Sequence, residues 1–328
     1  MPGVHVLVAP DKFKGTFSAA AVAAAVGRGL ERAGLEPPDL CPIADGGDGT
    51  LAVLITALGG ETAGAVASDP WGAPIRGGFA LLEDGGTAVV EVAEASGLRH
   101  AADHPADPEA ATTYGTGELI AAAVDAGAAV VLVAAGGSAT TDAGYGAIEA
   151  IREHGGLRGA RLVVLCDVRT PFEQAAARFG PQKGADVATV NRLARRLEQR
   201  ALELPRDPRG VPMSGAAGGL AGGLWAAFDA RLEPGAPFVL DVLGFDARMR
   251  AARAVIIGEG RIDATTLEGK AAGEAAVRCR QAGVPCHAVC GASALSLFDQ
   301  RILDLQHVVE APTLAALEEA GERLAAVL

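Results

Sequence analysis

Apolar residues fall along this chain in two kinds of run: short unbroken blocks bounded by turns, and longer Ala-, Val- and Leu-rich stretches with helical composition. VHVLVAP (4–10) is a block of the first kind, and SAAAVAAAVGRGLERAG (18–34) is a helix closed by glycine. DLCPIADGGDGT (39–50) predicts a short strand entering a Gly/Asp turn, followed by an apolar helix over TLAVLITALGG. The grammar changes at Ser68. In SDPWGAPIRGGFALLEDGGTAVVEVAEASGL (68–98), short alternating strands joined by glycine pairs predict antiparallel hairpins. A helix over TGELIAAAVDAG (116–127), a strand over AAVVLVAAGG (128–137) and a helix after SATTDAG (138–144) follow. ARLVVLCDV (160–168) reads as a strand, NRLARRLEQRALEL (191–204) as an amphipathic helix with a solvated arginine face, and 207–228 as a glycine-dense segment. Strand and helix alternation then returns, with strands at RAVIIGEG (253–260), VPCHAVCG (284–291) and LQHVVEA (305–311) before a final helix.

Both ends of the chain share a βα pattern that the middle interrupts. An α/β protein of two α/β domains is expected: a parallel-sheet domain from residues 1–68 and 244–328, an inserted mixed domain from 69–243, and a site in the cleft between them. The length of 328 residues fits two domains of roughly 100 to 200 residues each. The balance of 28 basic against 40 acidic residues, without a basic block, argues against nucleic acid and anionic membranes as partners. An anionic small molecule remains compatible if basic groups gather locally. The opening MPGVHVLVAPDK reads as a strand running into a polar turn, and no apolar run approaches the length of a membrane span, so neither a signal peptide nor a spanning helix is expected. Five cysteines in mostly apolar runs fit a reducing, cytoplasmic location.

Lysine is scarce. The basic residues include only Lys12, Lys14, Lys183 and Lys270, all in turns marked by Gly, Pro or Asp. A compact ammonium suits a phosphate or carboxylate in a tight site better than a flat guanidinium does, so all four are candidate charge points, expected to be exposed and dispensable for stability. Turns at the carboxyl ends of strands are where open α/β sheets bind ligands, and five stand out. APDKFKGT (9–16) carries Asp11, Lys12 and Lys14; IADGGDGT (43–50) carries Asp45 and Asp48; CDVRTP (166–171) carries Asp167; GEGRIDATTLEGK (258–270) carries Glu259, Arg261, Asp263 and Lys270. The fifth, AAGGSATTDAG (134–144), sets Gly136, Gly137, Ser138 and Thr140 at a helix start, a pattern able to hold phosphate on backbone amides, with Asp142 one turn on. Glycine-flanked aspartates suit Mg²⁺, which takes one or two carboxylates and keeps waters and phosphate oxygens. No dinucleotide GxGxxG follows the first strand, the glycine and Ser/Thr of a P-loop are missing around Lys270, and there is no GxSxG.

Taken together, APDKFKGTFSA, PIADGGDGT, TTYGTGELI, GGSATTDAG, CDV, FGPQKGA, GAAGGLAGGL and GEGRIDATTLEGK run in an order that resembles the bacterial glycerate kinases of the glyoxylate and glycarate utilisation type, over nearly the whole chain. Thr141-Asp142 departs from the Asn-Asp usual in that family, and RTPFEQAAAR is poorer in Asn, Leu and Gly than the usual loop after CDV. The resemblance implies a flavodoxin-like domain with a second domain inserted, and ATP-dependent phosphorylation of D-glycerate at O2. A 3-phosphate product, a related hydroxy acid as substrate, and a non-catalytic glycerate or nucleotide sensor are the alternatives. On this reading the ATP phosphates lie on Gly136, Gly137, Ser138 and Thr140, with Asp142 nearby and Lys183 or Lys270 neutralising charge. Mg²⁺ sits with Asp45 or Asp48, and Asp167 is a further ligand candidate. Lys12, Lys14 or Arg261, with Glu259 beside them, hold the glycerate carboxylate. Asp263 is the expected base, ahead of Asp11 and Asp142. The protein is expected to be a monomer or a homodimer.

Overall fold

The computed structural model describes residues 5–102 and 107–328, so the start of the first predicted strand at Val4 lies outside the described residues. The strands run β1 (Val6–Pro10), β2 (Asp39–Leu40), β3 (Gly60–Ser68), β4 (Pro74–Leu82), β5 (Thr87–Glu91), β6 (Val130–Ala135), β7 (Arg161–Cys166), β8 (Arg231–Pro234), β9 (Ala254–Ile262), β10 (Cys286–Ser293) and β11 (Leu305–Glu310). They belong to two compact units: residues 1–45 with 236–328, and residues 46–235.

The unit built from both chain ends holds a five-stranded sheet in the order β11-β10-β9-β1-β2, all pairs parallel. Its central strand β1 and the first half of β9 are unbroken apolar runs because both faces are covered there. Val6 and Val8 pack with Val22, Val26, Leu317 and Leu324 of the helices Ala19–Arg32 and Leu314–Ala325, whereas Leu7 and Ala9 pack with Ala272, Ala275 and Ala276 of the helix Ala271–Ala282. From β1 the chain passes to β2 on one side, and β9 joins on the other. The carboxyl ends of β1 and β9 therefore meet at the reversal of strand order where such sheets bind ligands.

The second unit holds a six-stranded sheet in the order β3-β4-β5-β6-β7-β8. Strands β3 to β5 are antiparallel and β5 to β8 parallel, so the predicted hairpins feed a parallel half-sheet. Its core gathers Val90, Leu119, Ile120, Val131, Val133, Ile151, Val164 and Leu220.

The bounds of the units differ from the expected ones. Residues 46–68 lie in the second unit and 236–243 in the first, so the boundaries fall at 45/46 and 235/236 and not at 68/69 and 243/244. The first of these shifts comes from β3, GETAGAVAS, whose Gly and Ala residues carry almost no strand signature in sequence yet pair along their whole length with β4. Strand β8 is similarly hidden in RLEP.

Candidate active site

In the first unit three adjacent strand ends bring carboxylates together. Asp11 follows β1, its N–H donating to the Gly258 carbonyl of β9 at 2.8 Å. Glu259 is the next residue of β9, and Asp45 lies beyond Ile43, whose N–H donates to the Pro10 carbonyl at 2.9 Å. Asp11 is 6% exposed and Glu259 8%. Burial, and then the Asp45 carboxylate, push Asp11 well above the usual carboxylate range; Lys12, whose N–H donates to Asp11 Oδ1 at 2.6 Å, only partly offsets this. Burial also raises Glu259, against the pull of Lys270, whose Nζ donates to Glu259 Oε1, and of Thr266, whose Oγ1 donates to Oε2 at 3.0 Å. Burial works against the Lys270 ammonium, but Glu259 outweighs it and leaves the lysine above its ordinary value. Lys14 is exposed and Lys12 half-buried.

Asp263 sits elsewhere in this chemistry. Its Oδ1 accepts from the Thr265 N–H at 2.9 Å and the Thr265 hydroxyl at 2.6 Å, capping the short helix Ala264–Glu268, and its Oδ2 accepts from Arg261 Nε at 3.2 Å. The Thr265 hydroxyl first, with the other donors, holds its carboxyl below the usual range. That is the opposite of what a proton acceptor requires. Arg261 itself is 65% exposed at its side chain.

In the second unit the carboxyl ends of β5, β6 and β7 lie side by side: Glu91 pairs with Ala134, and Gly136 and Asp167 directly follow the paired Ala135 and Cys166. A Cβ on Gly136 would lie 2.6 Å from Gly47 Cα, 3.3 Å from Asp167 Oδ2 and 3.5 Å from the Asp48 nitrogen, so only glycine lets these segments meet. The next residue, Gly137, has φ of 69° and turns the chain toward Ser138 and Thr140. The expected phosphate turn and two expected metal ligands, Asp48 and Asp167, thus share one locality. Among the described residues no group of three or more His, Cys, Asp and Glu side chains could hold a metal ion. Two carboxylates beside a phosphate turn instead fit Mg²⁺, which completes its shell with water and phosphate oxygens.

Lys183 is 4% exposed, which corrects the expectation that all four lysines stand in solvent. Its Nζ donates to Ser138 Oγ at 2.9 Å and to the Thr140 carbonyl, pinning the turn from behind. Burial lowers its pKa to about 8, although Asp142 and Asp167 favour the charged form. The Thr140 hydroxyl is buried with no hydrogen-bond partner, as is that of Thr141.

Asp142 is turned inward. Its Oδ2 accepts from the Thr113 N–H and hydroxyl, both at 2.8 Å, from the Thr112 hydroxyl at 3.4 Å and from the Gly146 N–H at 3.2 Å, while Oδ1 accepts from the Gly144 N–H at 3.1 Å. One carboxylate thereby ties together the starts of the helices Tyr114–Asp125 and Tyr145–Glu153. Sequence reasoning passed over Glu91 and Thr266. Glu91 Oε1 accepts the Leu51 N–H at 2.8 Å at the start of the helix Thr50–Leu58, and its signal was a lone carboxylate closing the apolar run TAVVE. Thr266, inside a quoted motif, was masked by its charged neighbours.

These motifs recur in known proteins. The family model described as "Glycerate kinase family" matches residues 6–155 and 152–327. A glycerate kinase of Bacillus subtilis (strain 168) is 36% identical over 98% of this chain and 94% of its own length. A glycerate 2-kinase of Escherichia coli (strain K12) is 33% identical over 81% of this chain and 80% of its own. A crystal structure assigned to glycerate kinase 2 from Salmonella typhimurium LT2 superposes with a TM-score of 0.82 at 30% identity, covering 99% of this chain and 98% of that one. With the family match running over nearly all of the chain and the fold shared end to end, this protein belongs to the glycerate kinase family, a family of kinases.

Proposed function

We propose that this enzyme transfers the γ-phosphoryl group of ATP to O2 of D-glycerate, with Mg²⁺, giving 2-phospho-D-glycerate in the cytoplasm. The observation that carries the reading is Asp11, a buried carboxyl raised by burial and Asp45 at the reversal point of the first sheet. Phosphoryl transfer asks the protein for positioning, for charge on the phosphates and for a group that takes the alcohol proton. Asp11, more basic than an ordinary carboxylate, meets the last need, and Asp263 is reassigned to capping. Lys14, Lys12 and Arg261 would hold the glycerate carboxylate, and Lys270 would keep Glu259 ionised beside it.

In the second unit the backbone amides from Gly136 to Ser138 would hold the ATP phosphates, and Lys183 would fix that turn. Mg²⁺, when held by Asp48 and Asp167, supplies positive charge to the phosphate oxygens. Asp142 is assigned to the framework under the turn. The product at O2 follows the glycerate 2-kinase relative. The test is ADP release with D-glycerate, L-glycerate, glycolate and tartronate, with phosphorus NMR of the product. D-glycerate should give the 2-phosphate alone. Only the 3-phosphate would overturn the regiochemistry, and no ADP release with any hydroxy acid would overturn the activity.

A further inference from the structure

We infer that the edge strand β3 is a self-pairing surface, through which two copies of this chain join their second-unit sheets antiparallel about a two-fold axis at Gly64. The direction of its free backbone groups follows from the register. Asp69 N–H donates to the Ala73 carbonyl at 2.8 Å and Glu83 N–H to the Gly59 carbonyl at 3.3 Å, so the odd-numbered residues from 59 to 69 bond to β4. The even-numbered residues Thr62, Gly64 and Val66 therefore aim N–H and C=O away from the sheet. Ser68 fits the same parity, because its outward N–H donates to Glu118 Oε2 at 2.6 Å, which closes that end of the edge. Side chains alternate in step: Ala63, Ala65 and Ala67 pack on the core, while Thr62, Gly64 and Val66 are exposed, Val66 at 75%.

An open edge of this kind is ordinarily blunted by charge, proline or shortness. The second sheet's other edge, β8, is four residues long, carries Arg231 and Glu233 and ends in Pro234; in the first sheet β2 has two residues. Strand β3 has nine residues, no lysine or proline, and Glu61 as its one charge. Its donors and acceptors are complementary to their own antiparallel copy. Pairing at Gly64 sets Thr62 of each copy opposite Val66 of the other, covering the exposed valine. The charges are compatible as well: Glu61 faces Ala67 of the second copy, and the two Glu61 side chains lie about 20 Å apart, six residues along the strand. The occupant that meets this edge with matched bonds, small side chains and no like-charge contact is a second copy.

The full-length protein, followed by sedimentation velocity and light scattering over a concentration series, should dimerise. Thr62→Lys with Val66→Lys places lysines directly opposite across the axis and should weaken the dimer by about tenfold or more, while Tm measured at concentrations dilute enough for the wild type to be monomeric stays unchanged because both positions are exposed. Thr62→Glu with Val66→Lys places opposite charges in the same pairs and should restore it, salt-sensitively. Gly64→Pro removes the N–H at the axis; its added Cβ would meet no atom closer than 4.0 Å, and it should also give monomer. A wild-type monomer throughout the series, or a dimer indifferent to the lysine pair and to Gly64→Pro, would overturn the inference.

Discussion

The two units solve opposite electrostatic problems. The first concentrates carboxylates at its strand ends: Asp11 and Glu259 are buried within reach of each other's charge and that of Asp45, and both are pushed upward. The second buries an ammonium: Lys183 is pushed down to about 8 and is used as an internal strut. A buried group displaced toward its neutral form is costly to the fold, and such groups concentrate at functional sites. Raised carboxyls suit taking a proton, and a cation behind a glycine turn suits an anion in front of it. On the proposed reading, the contrast assigns the acceptor chemistry to the first unit and the nucleotide chemistry to the second.

The largest expected effect breaks the first side. Asp11→Asn should lower kcat by 10²- to 10⁴-fold while leaving the KM for ATP nearly unchanged, the scale of a lost general base. Its Tm should hold or rise, because the change removes a repelled buried charge; thermal melts beside two-substrate kinetics read both. Asp263→Asn should cost far less, since its capping role survives in part.

The next effect breaks the second side. Lys183→Met should cut kcat/KM for ATP by about 30- to 1000-fold, a loss of about 2 to 4 kcal/mol, and spare the KM for glycerate. Unlike a change at exposed Lys14, it should also lower Tm, because Ser138 and the Thr140 carbonyl lose their donor. The wild-type kcat/KM for ATP should fall as pH rises through about 8, where Lys183 loses its proton, and Lys183→Met should lack that break.

The smallest effect lies outside the site. His287, buried on β10 and stacked on His307 with ring centroids 5.4 Å apart, is held down at about 4 by burial and then by His307. Its folded value lies below its ordinary one of 6.5, so the unfolded chain binds more protons between them. The stability it contributes is complete above about pH 6.5 and is lost as pH falls toward 4. Tm measured across that window should slope less in His287→Phe.

What was legible in sequence follows physical contrast. The unbroken apolar strands β1, β6, β7 and β9 announced themselves, because both of their faces are covered. Strand β3 did not, because alanine and glycine pair well without looking like strand formers, and the unit boundary was misplaced with it. The turns proposed to carry chemistry were visible as Gly and Asp punctuation. Roles within them were not: nothing local separates Asp11 from Asp263. One lies between two carboxylate-bearing strand ends and the other caps its own helix, and only the sheet order decides which is which. Lys183 shows the same gap, a turn lysine in sequence and a buried strut in space.

The most direct test of the divided site is equilibrium binding, by titration calorimetry, of MgATP and of D-glycerate separately to Lys183→Met and to a Lys14→Ala, Arg261→Ala double variant. The account predicts a crossed pattern: Lys183→Met loses nucleotide affinity and keeps glycerate, and the double variant does the reverse. Loss of nucleotide binding in the first-unit variant with glycerate binding intact would contradict it.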